Sequence, residues 1–218
     1  MAISKFNYNS FNVTPVAGNA LSFNSDADGF TTQGASSMIL IKTLTASTSA
    51  TLSFVDGSSD VVLDSTYPIY MFKYINCHPA TNNAEFSVNF RDGSTDYDAT
   101  KTTTVFEAYH SEDDSANGFS YQTGDDIAQG TGFQTISKNI GNNNDSSCSG
   151  ELMLFNPSST TFVKHFIGRS NKMEVSVTGD FLVAGYCNVT AAIDAVQFKM
   201  SSGNIDSGTI KLYGIKDS

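Results

Sequence analysis

A chain of 218 residues with formal net charge −10 and a pI near 4.5 has only 12 Lys and Arg, never clustered, which argues against a nucleic-acid surface. Charged residues make up 16% of it, against roughly 25% in an ordinary soluble domain. In their place stand 29 Ser, 22 Thr and 18 Asn, while 16 Phe and 9 Tyr supply enough buried area for a real core, so disorder is not expected and an all-β protein is.

Residues 1–36 are polar but studded with Phe6, Tyr8, Phe11, Val13, Leu21, Phe23 and Phe30. They read as an extended N-terminal arm that wraps its own domain or crosses to a neighbouring subunit, with Phe6, Tyr8, Phe11 and Val13 as its anchor. A single domain is expected over 37–218. Met38-Ile39-Leu40-Ile41 reads as a buried run, and Thr51 to Phe54 alternates with period two. Asp56-Gly57 signals a turn, and Tyr67 to Ile75 is a long aromatic strand with Pro68 near its beginning. Glu85 to Arg91 alternates strictly, which predicts one buried and one wet face. The heptad Phe-x-Asp-Gly-Ser-Ser/Thr-Asp occurs at Phe54–Asp60 and again at Phe90–Asp96, and two hairpins with the same turn chemistry explain it.

Thr102–Tyr109 is a further strand, followed by a polar stretch from His110 to Gly132 in which Asp125 to Gln129 can make one helical turn. Residues 141–149 read as a plain loop. Tyr121, Asp125, Asp126, Asn142, Asn143 and Asn144 are the outward contact residues these two loops offer. Strands are then expected at Glu151–Phe155, Thr161–Gly168, Met173–Thr178, Phe181–Cys187, Ala195–Met200 and Thr209–Ile215. Ten or so short strands at this spacing, with no helical crossover, predict antiparallel sheets in a sandwich or barrel.

The chemistry-bearing motifs are sparse. There is no Gly-x-Ser-x-Gly elbow and no Gly-x-x-x-x-Gly-Lys loop. Cys77-His78-Pro79 places a thiol beside an imidazole, but neighbours in a strand point to opposite faces, so a strand end closed by proline explains it. His110 and His165 lack metal spacing, and His165 belongs at a surface or interface. Asp26 with Asp28, Glu112 to Asp114, and Asp125-Asp126 carry oxygens that suit Ca²⁺; solvated turns are the plainer account, and no cofactor is expected. Asp125, Asp126 and Glu107 are the nominees if the chain were a glycan depolymerase. The sequons at Asn12, Asn144 and Asn188 are accidental without secretion. The opening Met-Ala-Ile-Ser-Lys has no apolar signal region, no run reaches the ~18–20 apolar residues of a membrane span, and three cysteines are too few for a disulfide framework. Cytoplasmic synthesis, without membrane insertion, is the expectation.

The C-terminal run Ala192–Lys216, AIDAVQFKMSSGNIDSGTIKLYGIK, reads as two alternating antiparallel strands joined by the turn Ser201–Gly208. It resembles a recurrent ending in virion proteins of marine tailed phages, of the cyanophage and pelagiphage type. Thr45–Phe54, Tyr70–Ile75 with Pro79, and Leu154–Phe166 are similar to stretches in the same group. The resemblance implies a non-enzymatic virion structural protein with a jelly-roll-like β-sandwich, assembled in the host cytoplasm and carried on the particle. A tail-fibre or adsorption component meeting host surface glycans is the first expectation, and a capsid decoration protein the second. By the same analogy the partners are copies of itself, as a homotrimer, and other virion proteins.

Overall fold

The computed structural model describes residues 20–23, 29–33 and 37–216, so the anchor residues Phe6, Tyr8, Phe11 and Val13 lie outside the described residues. The chain packs as two units, Met1–Ile39 and Leu40–Ser218. In the first, β1 (Ala20–Phe23) and β2 (Phe30–Gln33) pair antiparallel, with the Phe23 and Phe30 rings stacked 5.0 Å apart. A hairpin therefore sits inside the stretch read from the sequence as an extended arm.

β3 (Met38–Ser49) leads into the second unit, which continues with β4 (Leu52–Val55), β5 (Ile69–Pro79), β6 (Ala84–Arg91) and β7 (Lys101–Ser111). Then follow β8 (Asn117–Tyr121), β9 (Gln134–Ile140), β10 (Cys148–Phe155), β11 (Lys164–Glu174), β12 (Val177–Cys187), β13 (Ala195–Met200) and β14 (Ile205–Ile215). No helix occurs among the described residues. The strands form an eight-stranded sheet, β3-β14-β5-β10-β11-β12-β7-β8, and a four-stranded sheet, β4-β13-β6-β9. The result is the all-β antiparallel sandwich that the composition predicts.

Alternation puts the aromatic residues between the layers. Phe54 of β4 meets Phe72 of β5 at 5.3 Å, Phe86 of β6 meets Tyr74 at 5.3 Å, and Phe90 meets Phe166 of β11 at 4.9 Å. Phe198 of β13 lies among Phe54, Phe72, Tyr74 and Phe86. Strands lie about 4.8 Å apart, so four of them cannot cover eight. Met38–Ile41, expected as a buried run, shows the consequence: β3 is the outermost strand, and Leu40 is 51% exposed.

Four further expectations are corrected. Glu85–Arg91 has no wet face, since Ser87 and Asn89 are buried as well. The Asn89 amide donates to the carbonyls of Tyr97 and Thr131, so two loops cover the outer side of the small sheet. Met173–Thr178 is not a strand but the reversal between β11 and β12, with Val175 at φ 50°. Its alternation runs unbroken through the two-residue turn, which hides the turn from a period-two reading.

The repeated heptads do not close hairpins. Gly57 and Gly93 take φ 70° and 94°, as tight turns need, but β5 and β7 then enter the opposite sheet. Phe54 and Phe90 flank Val196, the register partner of both. Asp194 serves both copies: its carbonyl accepts from the Asp56 N–H at 2.9 Å, its N–H donates to Arg91 O at 3.0 Å, and its carboxylate takes the Arg91 guanidinium at 2.8 and 3.1 Å. The repeat marks two of the corners where the chain leaves the small sheet. Likewise Ser201–Gly208 joins no hairpin, because β13 lies between β4 and β6 while β14 lies between β3 and β5.

Candidate functional site

Successive side chains of a strand point to opposite faces, and the solvent side of an antiparallel sheet normally carries the polar set. The outer face of the large sheet departs from this. Phe106 on β7 has Leu182 of β12 as its register partner on one side and Tyr121 of β8 on the other. Phe119 lies parallel to Phe106 at 5.9 Å, and Tyr121 meets Phe106 edge-on at 5.3 Å. Phe119 is 71% exposed, Tyr121 42% and Phe106 37%, and Ile167 on β11 is exposed as well. Gly118 leaves room for the ring of its register partner Tyr109: a Cβ there would stand 2.7 Å from it. Burying such a belt against a neighbour would remove water from large apolar area, the ordinary signature of an interaction surface.

Farther along this face a depression of about 640 Å³ is lined by Lys73, Ile75, Glu151, Arg169, Asn171 and Asp180. Arg169 forks onto Asp180 at 2.7 and 2.9 Å, and Lys73 pairs with Glu151 at 3.5 Å. Exposed pairs of this kind contribute about 0–1 kcal/mol each. They contribute little to the stability of the face. His165, expected at the surface, is exposed beside Tyr186, with ring centroids 6.0 Å apart.

The expected loop contacts fall into separate groups. Tyr121 donates to Asp126 Oδ2 at 2.7 Å on the β8 edge. Asp125 turns inward instead: Lys138 Nζ sits 2.7 Å from its carboxylate and 3.7 Å from that of Glu107. The helical turn expected over 125–129 does not form: the turn lies one step earlier, with the Asp125 and Asp126 N–H groups donating to Gln122 O, while the Ile127 and Gln129 N–H groups donate to Thr103 and Thr102 Oγ1 of β7. Asn142, Asn143 and Asn144 are exposed on the β9–β10 loop, where Asn144 lines a polar cleft of about 420 Å³ with Asn76, His78, Asp145 and Asp206. Among the described residues no hydrogen bond or ion pair joins the asparagines to the Tyr121–Asp126 edge.

The depolymerase nominees are thus placed. Glu107 and Asp125 converge on one ammonium, which staples the loop to β7, and Asp126 accepts from Tyr121. Among the described residues no group of three or more His, Cys, Asp or Glu is placed to hold a metal ion. Two Ser115 hydrogen bonds hold the Asp113 carboxyl below its usual range, Asp114 pairs with His110 at 3.1 Å, and Asp26 and Asp28 lie outside the described residues.

Sequence reasoning missed two sets of residues. One is the β8 edge, read as part of a polar loop, although Gly118-Phe119-Ser120-Tyr121 carries a short period-two signal. The other is a pair of fully buried lysines. Lys101 Nζ donates to Gly132 O at 2.7 Å, and Lys164 Nζ to Val189 O at 3.1 Å and to Ala191 O. Burial pushes the Lys101 ammonium down to about 8 and lowers Lys164 in the same direction. Both amines are thus spent on loop carbonyls.

In comparisons with known proteins the chain matches no family model, no curated protein and no solved structure.

Proposed function

We propose that this chain is a non-enzymatic structural protein on the surface of a tailed-phage particle, an adsorption-type component that works as an assembly of identical copies. The observation that carries the reading is the open outer face of the large sheet, where Phe106, Phe119, Tyr121, Ile167 and Leu182 are exposed at positions a solvated sheet gives to polar residues. Copies packed on that belt, as a trimer by analogy with small phage β-domains, would cover it and protect the sheet edges. The polar asparagine loop, standing clear of the belt, remains for host glycans. The C-terminal likeness to virion proteins supports the same reading.

The strand order supports the finer description of a jelly roll. Four strands of one layer run β4-β13-β6-β9, and the opposing layer runs β5-β10, then β7-β8. That is the interleaving of two Greek keys, with the hairpin β11–β12 inserted between β10 and β7 and with β14 and β3 added at the far edge.

Immunogold electron microscopy of intact particles tests the placement. Gold on the tail is the expected result. Gold over the head would replace the adsorption role with capsid decoration, and particles without gold would overturn the virion reading. Removing residues 2–30 is expected to abolish incorporation, and normal incorporation of the truncated chain would refute the N-terminal anchor.

A further inference from the structure

Cys77 and Cys148 lie opposite each other on neighbouring strands. They are Cα register partners across β5 and β10, and both side chains are buried on the inner face. The alignment is produced by a bulge. From Tyr74 to Cys77 β5 spends one residue more than β10 does between Gly150 and Cys148, and Asn76 takes up the difference at φ 50°. Without that extra residue the inward positions of β5 would continue from Tyr70, Phe72 and Tyr74 to Asn76 and His78, leaving Cys77 outside. With it, Cys77 turns in and His78 turns away, its Nδ1 donating to Ser146 O at 2.7 Å. Gly208 makes room for the bulge: at φ 124°, a Cβ there would stand 2.7 Å from Cys77 Cα.

Directly opposed residues of an antiparallel pair have Cα atoms about 4.5–5.5 Å apart. A disulfide spans about 4.4–6.8 Å between Cα atoms. All three cysteines are free thiols, and Cys187 differs from the other two in that its cross-strand partners are Lys101 and Lys164.

We propose that Cys77 and Cys148 are a disulfide site, reduced while the chain is in a reducing compartment and closed by a small-molecule disulfide once it leaves. In the first step one thiolate attacks a sulfur of oxidised glutathione, forming a mixed disulfide and releasing one glutathione thiolate. In the second, the opposed thiolate attacks the protein-bound sulfur and expels the other glutathione. Two protein thiols and one oxidised glutathione become one protein disulfide and two reduced glutathiones. Burial pushes the Cys77 thiol up to about 12 and Cys148 well above its ordinary value, so attack waits on opening of the strand ends and is slow near neutrality. Cys148 is the first residue of β10, next to the exposed 142–145 loop, which is where such opening begins. The closed loop would hold roughly 70 residues, long enough for a large constraint on the unfolded chain. The inference stands apart from the virion reading.

The test uses the folded, full-length protein, incubated with oxidised glutathione at mildly alkaline pH, then alkylated in denaturant and mapped by mass spectrometry. The expected result is one alkylated cysteine, Cys187, a peptide linking Cys77 to Cys148, and an unfolding midpoint that rises on oxidation and falls again with reductant. Cys187→Ala should cross-link as the wild type does, and Cys148→Ala should not. Three alkylated cysteines, glutathione left on Cys77 or Cys148 without ring closure, or Cys187 in the linkage would each overturn the proposal. The wild-type map decides it even if Cys148→Ala does not fold.

Discussion

The two halves of the sandwich interior are built from different chemistry. Between β4, β5, β6 and β13 the filling is aromatic, with Phe54, Phe72, Tyr74, Phe86 and Phe198 in mutual ring contact. Beneath β7 and β9 polar groups are interleaved with Val105, Ile136 and Ile140: Lys101, Thr103, Glu107, Gln134 and Ser137 are buried there as well. Thr103 donates to Gln134 Oε1 at 2.7 Å and accepts from the Ile127 N–H at 2.8 Å, while Gln134 donates to Asp125 O at 2.9 Å. The rings stabilise the fold without specifying much else, because apolar contact is non-directional. The polar half does the reverse. Lys101 and Gln134 donate to carbonyls of the 122–133 loop and Thr103 accepts from its Ile127 N–H, so the energy of these bonds is spent fixing where that loop lies.

The largest effect should come from breaking the ring half. Phe198→Ala removes the ring that touches four others, and a cost of about 3–5 kcal/mol in urea denaturation is expected. The polar half should respond more weakly, and with a pH signature. The unfolded chain keeps the Lys101 proton up to 10.5 and the folded protein releases it near 8. Between those values the unfolded state binds more protons, so the lysine's contribution to stability rises with pH. The stability difference between wild type and Lys101→Met should be flat below pH 8 and move in the wild type's favour by about 3 kcal/mol from about 8 to 10.5, on top of the pH-independent loss of the Gly132 carbonyl's donor in the variant. Urea midpoints of both proteins across that range measure it. A gap that stays constant would mean that Lys101 is solvated in the folded state.

Lys138→Gln is the next step down. It cuts the ion pairs to Asp125 and Glu107 and should cost about 1–2 kcal/mol. Amide exchange should quicken over 122–133 and stay unchanged on β5 and β13. Uniform acceleration would mean that the clamp supports the whole sandwich and not only the loop.

The contrast also explains what could be read before the fold was seen. The ring half was legible because Phe54, Phe72, Phe90 and Phe198 repeat with period two inside short apolar runs. Pairing partners were not, since β4, β6 and β13 are brought together by corners whose Asp-Gly turns look the same whether they close a hairpin or change sheets. The buried lysines defeat hydropathy but not geometry: on β11, Lys164, Phe166, Gly168, Ser170 and Lys172 share one parity, and Phe166 facing inward carries the lysines with it. Of the expected contacts, Tyr121 and Asp126 reached the surface together. Asp125 turned inward, because the ammonium that claims it lies on β9, thirteen residues away, beyond any local pattern.

The smallest change in stability should accompany the largest change in behaviour. Phe119→Ser alters a side chain that is 71% exposed on an edge strand. Such a site shifts stability by about 0.5 kcal/mol or less, and its stacking on Phe106, mostly in water, adds only the lower end of an aromatic pair, about 0.5 kcal/mol. The folded domain should therefore be retained, with an unfolding midpoint close to the wild type. If the aromatic belt is where copies meet, sedimentation of the variant should shift toward a single chain, and the double variant Phe106→Ser with Phe119→Ser should shift further. Equal sedimentation of wild type and both variants would remove the belt from the assembly. The exposed rings would then need another partner, and the β3 edge, with Leu40 half exposed, would be the next surface to alter.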